Sequence, residues 1–243
     1  MNPAIVIPVY NHPRVTAVIA EALALGPPLI VVDDGSDKET RAALTPLALS
    51  LQAKPGNQDS ENGHITLLRH PKNQGKGAAL LTGFTAALAL GHDAALTIDA
   101  DGQHDPADGA ALLAMAAKER ALVVGARQGM AGEHVPWTSR FGRGFSNFWV
   151  CACGGPWLKD SQSGFRLYPL PESLNLGVQA RRYQFEVEIL VLAKRQGLAI
   201  REAPISVVYQ PKGERISHFR PWRDFWRNTQ TFSRLLWRRV RPF

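Results

Sequence analysis

Residues 97–106 read TIDADGQHDP. They close an apolar run, AALTID (94–99), with two carboxylates two residues apart, Asp99 and Asp101, and a glutamine at position 103. Along an extended strand, side chains at i and i+2 point to the same side. Two like charges brought together there repel unless a cation lies between them. Asp99, Asp101 and Gln103 offer only hard oxygen donors, which suit Mg2+ or Mn2+ better than zinc. The simpler alternative is that one Asp caps a turn while the other is solvated. His104 either reaches the same site or sits on the surface. Asp105 reads as a helix N-cap, with Pro106 at the first helical position and Asp108 in the first turn, so these two carboxylates are structural.

The choice between the alternatives depends on what lies beside the motif. AIVIPVY (4–10), LIVVDD (29–34), ITLLRH (65–70) and ALVVGAR (121–127) are short apolar runs rich in β-branched residues, and with 94–99 they read as buried strands. Helix-compatible stretches fall between them at 13–25, 38–51, 77–90 and 138–153, with a further one at 183–197. Asp37 suits the cap of the second, Pro46 predicts a break inside it, and Gly197 suits the end of the last. QAKPGNQDSENG (52–63) and LKDSQSGFRLYP (158–169) read as loops, and AIREAPISVVYQ (199–210) as edge strands broken by Pro204. Strands alternating with helices predict an α/β fold with a mainly parallel sheet and right-handed crossovers. Ligands of such sheets bind outside the carboxyl ends of the strands. Pro8, Tyr10 and Asn11, then Asp33 and Asp34, then Asp99 to Gln103 therefore share one rim, which favours the cation.

Asp33 and Asp34, in VVDDGSDKET, suit hydrogen bonds to a nucleotide's base or ribose, although Asp, Gly and Ser also favour plain turns. KNQGKGAA (72–79) opens a helix with glycines and Lys76, as an anion site does. It matches neither a dinucleotide fingerprint nor a P-loop, and a turn followed by a helix start also accounts for it.

Composition narrows the classes further. The 243 residues, 45% hydrophobic and 20% charged, describe a globular chain with one substantial domain. The opening MNPAIVIPVYNH has no basic segment followed by a long apolar core, so no secretory leader is expected. The run AALLTGFTAALAL (78–90) falls short of the ~20 residues a spanning helix needs. Cys151 and Cys153 are too few and too close for a disulfide framework and are expected to be buried thiols of a cytosolic protein. The net charge is +7, yet residues 219–243 alone carry seven Arg and one Asp. The remaining chain, with 21 basic and 20 acidic residues, is nearly neutral. Nucleic acid is therefore not the expected partner.

Taken in order, IVIPVYNH, VVDDGSDKET, LLRHPKNQGKGAAL, TIDADGQHDP, VGAR, DSQSGFRLYP and REAPISV resemble the family 2 glycosyltransferases of GT-A fold, nearest the dolichyl-phosphate mannose synthase branch. The match spans about 3–218. The resemblance implies a Rossmann-like GT-A domain over 1–218 and inverting transfer from a UDP- or GDP-sugar. It places Pro8, Tyr10, Asn11, Asp33 and Asp34 at the nucleoside, and Asp99, Asp101 and Gln103 on a metal bridging the donor diphosphate. Lys76 joins the donor site. Arg127, Arg140 and Arg166 match positions near phosphates, and Asp160 falls in the acceptor-side loop. A hydroxyl acceptor needs a general base, whereas a phosphate is already anionic. Relatives acting on hydroxyls carry an acidic Glu-Asp pair where this chain has DSQSGFR, which favours a polyprenyl phosphate. One departure is KGERISHF (212–219), where His218 stands in place of a Lys and Arg215 lies three residues before it. Both are candidates for contact with the diphosphate.

The tail 219–243, FRPWRDFWRNTQTFSRLLWRRVRPF, reads as an amphipathic helix from Pro221. Trp222, Phe225, Trp226, Phe232, Leu236, Trp237 and Val240 share one face, with Arg223, Arg227, Arg234, Arg238 and Arg241 on another. Such a helix suits peripheral contact with the anionic inner face of a membrane, where a lipid-linked acceptor is met. The alternative is a helix docked on the catalytic domain with solvated arginines. A hydroxyl acceptor with the same donor chemistry, a sugar-nucleotide-binding subunit without turnover and a nucleic-acid binder are the competing functions.

Overall fold

A strand buried on both faces reads as a continuous apolar run, and the runs found in the sequence become the centre of one sheet. The computed structural model describes residues 1–52, 65–129, 137–206 and 221–240, with backbone alone at 47–52, 137–141, 221–225 and 240. The strands are β1 (Pro3–Val9), β2 (Leu29–Asp33), β3 (Ile65–Arg69), β4 (Ala94–Thr97), β5 (Leu122–Arg127), β6 (Arg166–Pro169) and β7 (Ile200–Ile205). The helices are α1 (Val15–Leu23), α2 (Lys38–Gln52), α3 (Lys76–Ala89), α4 (Gly109–Lys118), α5 (Trp137–Ala152), α6 (Glu172–Asn175), α7 (Phe185–Arg195) and α8 (Pro221–Val240).

The sheet order is β3-β2-β1-β4-β6-β5-β7. All neighbours are parallel except β6, which runs antiparallel between β4 and β5. After β3 the chain crosses back over β1 to form β4, so the order reverses between β1 and β4. That reversal opens a crevice at the carboxyl ends of the strands. Alternate residues of β1 feed two apolar layers: Ala4 and Val6 pack under α3 and α7, while Ile5 and Ile7 pack under α1 and α4. In the first layer Phe84 of α3 meets Tyr168 of β6 at 4.8 Å and Phe185 of α7 at 6.3 Å.

Four expectations from the sequence change. Residues 166–169 form a strand inside what reads as a loop; its partners β4 and β5 lie far away in the chain. β4 ends at Thr97, two residues early, so Asp99 and Asp101 sit on a turn and not on a strand. α2 runs through Pro46 without a break. Pro46 leaves the Ala42 carbonyl without its usual helix donor, and the carbonyl before it, that of Arg41, accepts from the Thr45 hydroxyl at 2.7 Å. β7 likewise continues through Pro204, which pairs with Ala126 on the outer strand, where a missing N–H is tolerated. Asp37 caps α2 through Thr40 N at 2.9 Å, and Asp105 accepts from Ala107 N at 2.9 Å, as expected. Cys153 is buried and Cys151 half-buried, both free. The loop at 53–63 lies outside the described residues.

α8 docks on the domain through a face displaced from the expected one. Thr231, Phe232 and Leu235 are buried, and Phe232 stacks on Trp149 of α5 at 5.9 Å. Arg234, expected in solvent, instead reaches Glu188 of α7 at 2.8 Å, a carboxylate with no exposed side-chain surface. Trp226 and Trp237 point away from the domain, 64% and 61% exposed. Phe232→Ala is expected to lower stability by about 3 kcal/mol, read as a drop in melting temperature by calorimetry. An unchanged melting profile would show that α8 is not held there.

Candidate active site

The crevice is walled on one side by the ends of β1 and β2, whose loops are fastened to each other. Asp34 N donates to Val9 O at 2.8 Å. Asn11 adopts a positive φ of 46°; its N–H donates to Ser36 Oγ and its Oδ1 accepts from Asp37 N at 2.7 Å. Asn is among the few residues that take this conformation readily. The Asp34 carboxylate accepts from Gln74 N at 2.8 Å and Gly75 N at 2.7 Å, and lies 2.7 Å from His70 Nδ1. It thus ties the end of β2 to the loop that starts α3. Asp33 is fully buried; its Oδ1 accepts from Ser36 N at 2.8 Å, and Arg41 and Arg69 each approach its Oδ2 at 3.7 Å. Both carboxylates therefore hold the wall in shape, and Pro8, Tyr10 and Asn11 form its lip.

Across the crevice stands the acidic pair. Asp101 Oδ1 accepts from Gln103 N at 3.0 Å, closing the turn after β4. Asp99 Oδ1 lies 2.6 Å from Lys76 Nζ, and Glu186 Oε1 of α7 lies 2.5 Å from the same ammonium. The approach is close enough that a Cβ on Gly164 would strike both the Asp99 carboxylate and the Lys76 ammonium. The two aspartates consequently differ. Burial, the largest single influence, pushes the Asp99 carboxyl up, but Lys76, His104 and Arg127 together outweigh it and the net direction is down. Asp101 is pushed up by burial and by the nearby Asp99 charge. Burial also pushes the pKa of His104 down, which keeps the ring neutral. His104 is buried against Phe165, at 5.5 Å between ring centres, and among the described residues its Nδ1 has no hydrogen-bond partner.

A divalent cation fits these residues on charge and donor type. Among the described residues the carboxylates Asp99, Asp101, Asp160 and Glu186 share this region with the cations Lys76 and Arg127. Among the described residues no three His, Cys, Asp or Glu side chains converge into a closed metal cage. An open set built on one or two carboxylates is what Mg2+ takes when substrate phosphates and water complete its shell.

Arg127, at the end of β5, grips Asp160 with two bonds, Nε to Oδ2 at 2.5 Å and Nη2 to Oδ1 at 3.0 Å. Asp160 is buried, and its loop is fastened to α5: Ser161 N donates to Asn147 Oδ1 at 3.0 Å, and Asn147 Nδ2 donates to Lys159 O at 3.0 Å. Arg166 is not in the crevice. It is completely buried, donating to the carbonyls of Ser163 at 2.6 Å, Ser161 at 2.8 Å and Glu186 at 2.8 Å, so it fixes the loop and the start of α7 in place of a phosphate. Arg140 lies on α5, where the backbone alone is described, and Arg215 and His218 lie outside the described residues.

The sequence reading passed over Glu186 and His70. Glu186 stands in YQFEVEILVLAKRQG, where it and Glu188 are acidic residues on the buried side of an apolar run, and that anomaly was the available signal. His70 has none of its own, because only the sheet brings it beside Asp34.

The model of the family described as "Glycosyl transferase family 2" matches residues 4–157. The UDP-N-acetylglucosamine–dolichyl-phosphate N-acetylglucosaminyltransferase of Methanococcus voltae is 33% identical over 84% of this chain and 85% of its own. The polyprenol monophosphomannose synthase of Mycolicibacterium smegmatis is 28% identical over 86% of this chain and 78% of its own. Among solved structures, glucosyl-3-phosphoglycerate synthase from Mycobacterium tuberculosis, in complex with Mg2+ and UDP, superposes with a TM-score of 0.63. The superposition covers 97% of this chain and 78% of that one at 19% identity, a likeness of fold. It agrees with the GT-A architecture expected from the motifs.

Arg127→Met leaves the Asp160 carboxylate buried without its bidentate partner. It is expected to lower stability by about 3–5 kcal/mol, measured by urea unfolding; a loss below about 1 kcal/mol would show that the pair does not organise the loop.

Proposed function

The chain belongs to glycosyl transferase family 2, and on that premise we propose that it moves a sugar from a UDP- or GDP-sugar to a lipid-linked phosphate, inverting the anomeric carbon. The observation that carries this is the acidic turn at the strand-order reversal, where Asp99 and Asp101 lie together across the crevice from Pro8, Tyr10 and Asn11, with Lys76 against Asp99. Asp101 and Gln103, with Asp99, would hold Mg2+ or Mn2+. When bound, that cation would neutralise charge on the departing nucleoside diphosphate.

The chain's own residues do the remainder. The lip receives the nucleoside, kept in shape by Asp33 and Asp34. Lys76 and Arg127 add fixed positive charge where negative charge grows on the leaving oxygens. The bond from the anomeric carbon to the diphosphate breaks, and an acceptor phosphate oxygen forms the new one from the opposite face. No proton has to be removed from such an acceptor. Asp160 supports this choice, because a buried carboxylate clamped by Arg127 is poorly placed to act as base for a hydroxyl. The names of the relatives, with dolichyl phosphate and polyprenol in them, point the same way.

Among the described residues no helix is long and apolar enough to cross a membrane. α8 docks with one face and presents Trp226 and Trp237 on another, next to Arg227 and Arg238. We read that exposed stripe as peripheral contact with the anionic cytoplasmic leaflet, where each arginine near the surface is worth roughly 1 kcal/mol.

Two measurements test these proposals. Stabilisation in a thermal-shift screen of UDP-, GDP- and dTDP-sugars is expected for one nucleotide, largest with Mn2+, and lost in Asp101→Asn; equal behaviour of that variant would remove the metal-bridged donor. The full chain is expected to co-sediment with vesicles containing phosphatidylserine, and Trp226→Ser/Trp237→Ser to stay in the supernatant. Recovery of both in the pellet would remove the membrane role of this stripe.

A further inference from the structure

The N-terminus of α3 carries a cation where helix electrostatics favour an anion. Lys76 is the first residue of that helix, and the partial positive charge there disfavours an ammonium. The side chain is also withdrawn from water, with 15% of it exposed. Burial by itself disfavours the charge, yet Asp99 and Glu186 outweigh burial and push its pKa up. Lys76 is thus placed against the local grain and held by two carboxylates, 2.6 and 2.5 Å away. Its Nζ fills the space between these two acidic groups.

Glu186 reaches Lys76 because several features bring α7 against α3. A Cβ on Gly77 would fall 2.6 Å from Phe185 Cβ and 3.0 Å from Ala180 O, so only glycine permits the approach. Ala78 N donates to Arg181 O at 2.9 Å, fastening the strand of chain before α7 onto the first turn of α3. Arg166 holds the Glu186 carbonyl at 2.8 Å. The carboxylate is itself mostly buried, so its place is set by packing.

We propose that Lys76, held by the positioning residue Glu186, is a built-in counter-ion that occupies Asp99 until a nucleoside diphosphate and a divalent cation enter together. The proposal rests on Asp99 and Asp101 being the cation site of the function proposed above. A cation arriving alone must compete with the ammonium for Asp99. A diphosphate supplies anionic oxygens that take over Lys76, and Asp99 is released to the cation. Glu186 keeps the ammonium in the cleft during that exchange. Cation and nucleotide then bind cooperatively, and the coupling is the same read from either ligand.

The test uses the full chain without sugar or acceptor, counting free Mn2+ by electron paramagnetic resonance, alone and with saturating UDP or GDP. Lys76→Met is expected to bind Mn2+ alone roughly tenfold more tightly than the wild type, since a nearby positive charge is gone. The gain in Mn2+ affinity on adding nucleotide should shrink by a similar factor. Glu186→Gln leaves Lys76 to Asp99 alone and is expected to bind Mn2+ alone more weakly. A purely structural role would lower the melting temperature of either variant and leave both affinities in place. Equal Mn2+ affinity of Lys76→Met and wild type, or an unchanged gain from nucleotide, overturns the counter-ion. If Lys76→Met does not fold, Lys76→Gln decides by the same criteria. Asp101→Asn separates the two proposals: Mn2+ uptake that survives it removes the cation site itself, whereas uptake that needs Asp101 but ignores Lys76 removes the counter-ion alone.

Discussion

Charge in a confined space governs the crevice of this molecule. Four carboxylates and two cations are held at the carboxyl edge of the sheet, where water is scarce and an unpaired charge costs several kcal/mol. Each must therefore be answered by a partner. Asp160 is answered by Arg127, Glu186 and Asp99 by Lys76, and Asp34 by two backbone N–H groups and a histidine. Asp101 accepts from the Gln103 backbone N–H at 3.0 Å, and burial together with the Asp99 charge pushes its carboxyl up.

Such a cluster demands a rigid frame, because a misplaced carboxylate a few ångströms away changes the balance. The frame is supplied by elements remote from the chemistry. Arg166 spends its guanidinium on three backbone carbonyls, which locks the loop carrying Asp160 to the start of α7 carrying Glu186. Glu188, two residues further along α7, accepts from Ala180 N at 2.7 Å and meets Arg234 of α8 at 2.8 Å. α7 thus serves the crevice with one carboxylate and the C-terminal helix with the next. α8 is both a structural element, through Phe232 and Leu235, and a surface element, through its outward tryptophans. An amphipathic helix with two distinct aromatic faces can dock through one and turn the other outward.

Local patterning made the architecture legible. Continuous apolar runs such as AIVIPVY and LIVVDD can be satisfied only inside a parallel sheet, and their polar ends must then gather on one rim. Capping residues such as Asp37 and Asp105 were equally plain, because a cap is made within three residues of its own backbone. What failed to show were features whose partners are distant. RLYP carries no strand signature, and its ladder bonds come from residues about 70 and 40 positions away in the chain. Pro204 looked like a break because its tolerance depends on an outer position in the sheet.

The site divides along the same line. Sequence by itself determined which residues carry charge at the strand ends, Asp33, Asp34, Asp99, Asp101 and Arg127, because strand ends inherit their position from the apolar runs before them. Only tertiary structure decided what each charge does. It assigned Lys76 to Asp99 and Glu186, drew Arg166 into the core, and paired Arg127 with Asp160. Electrostatic partnership falls off over a few ångströms in space and takes no account of distance along the chain, so it exists only once the sheet, α3 and α7 have been brought together.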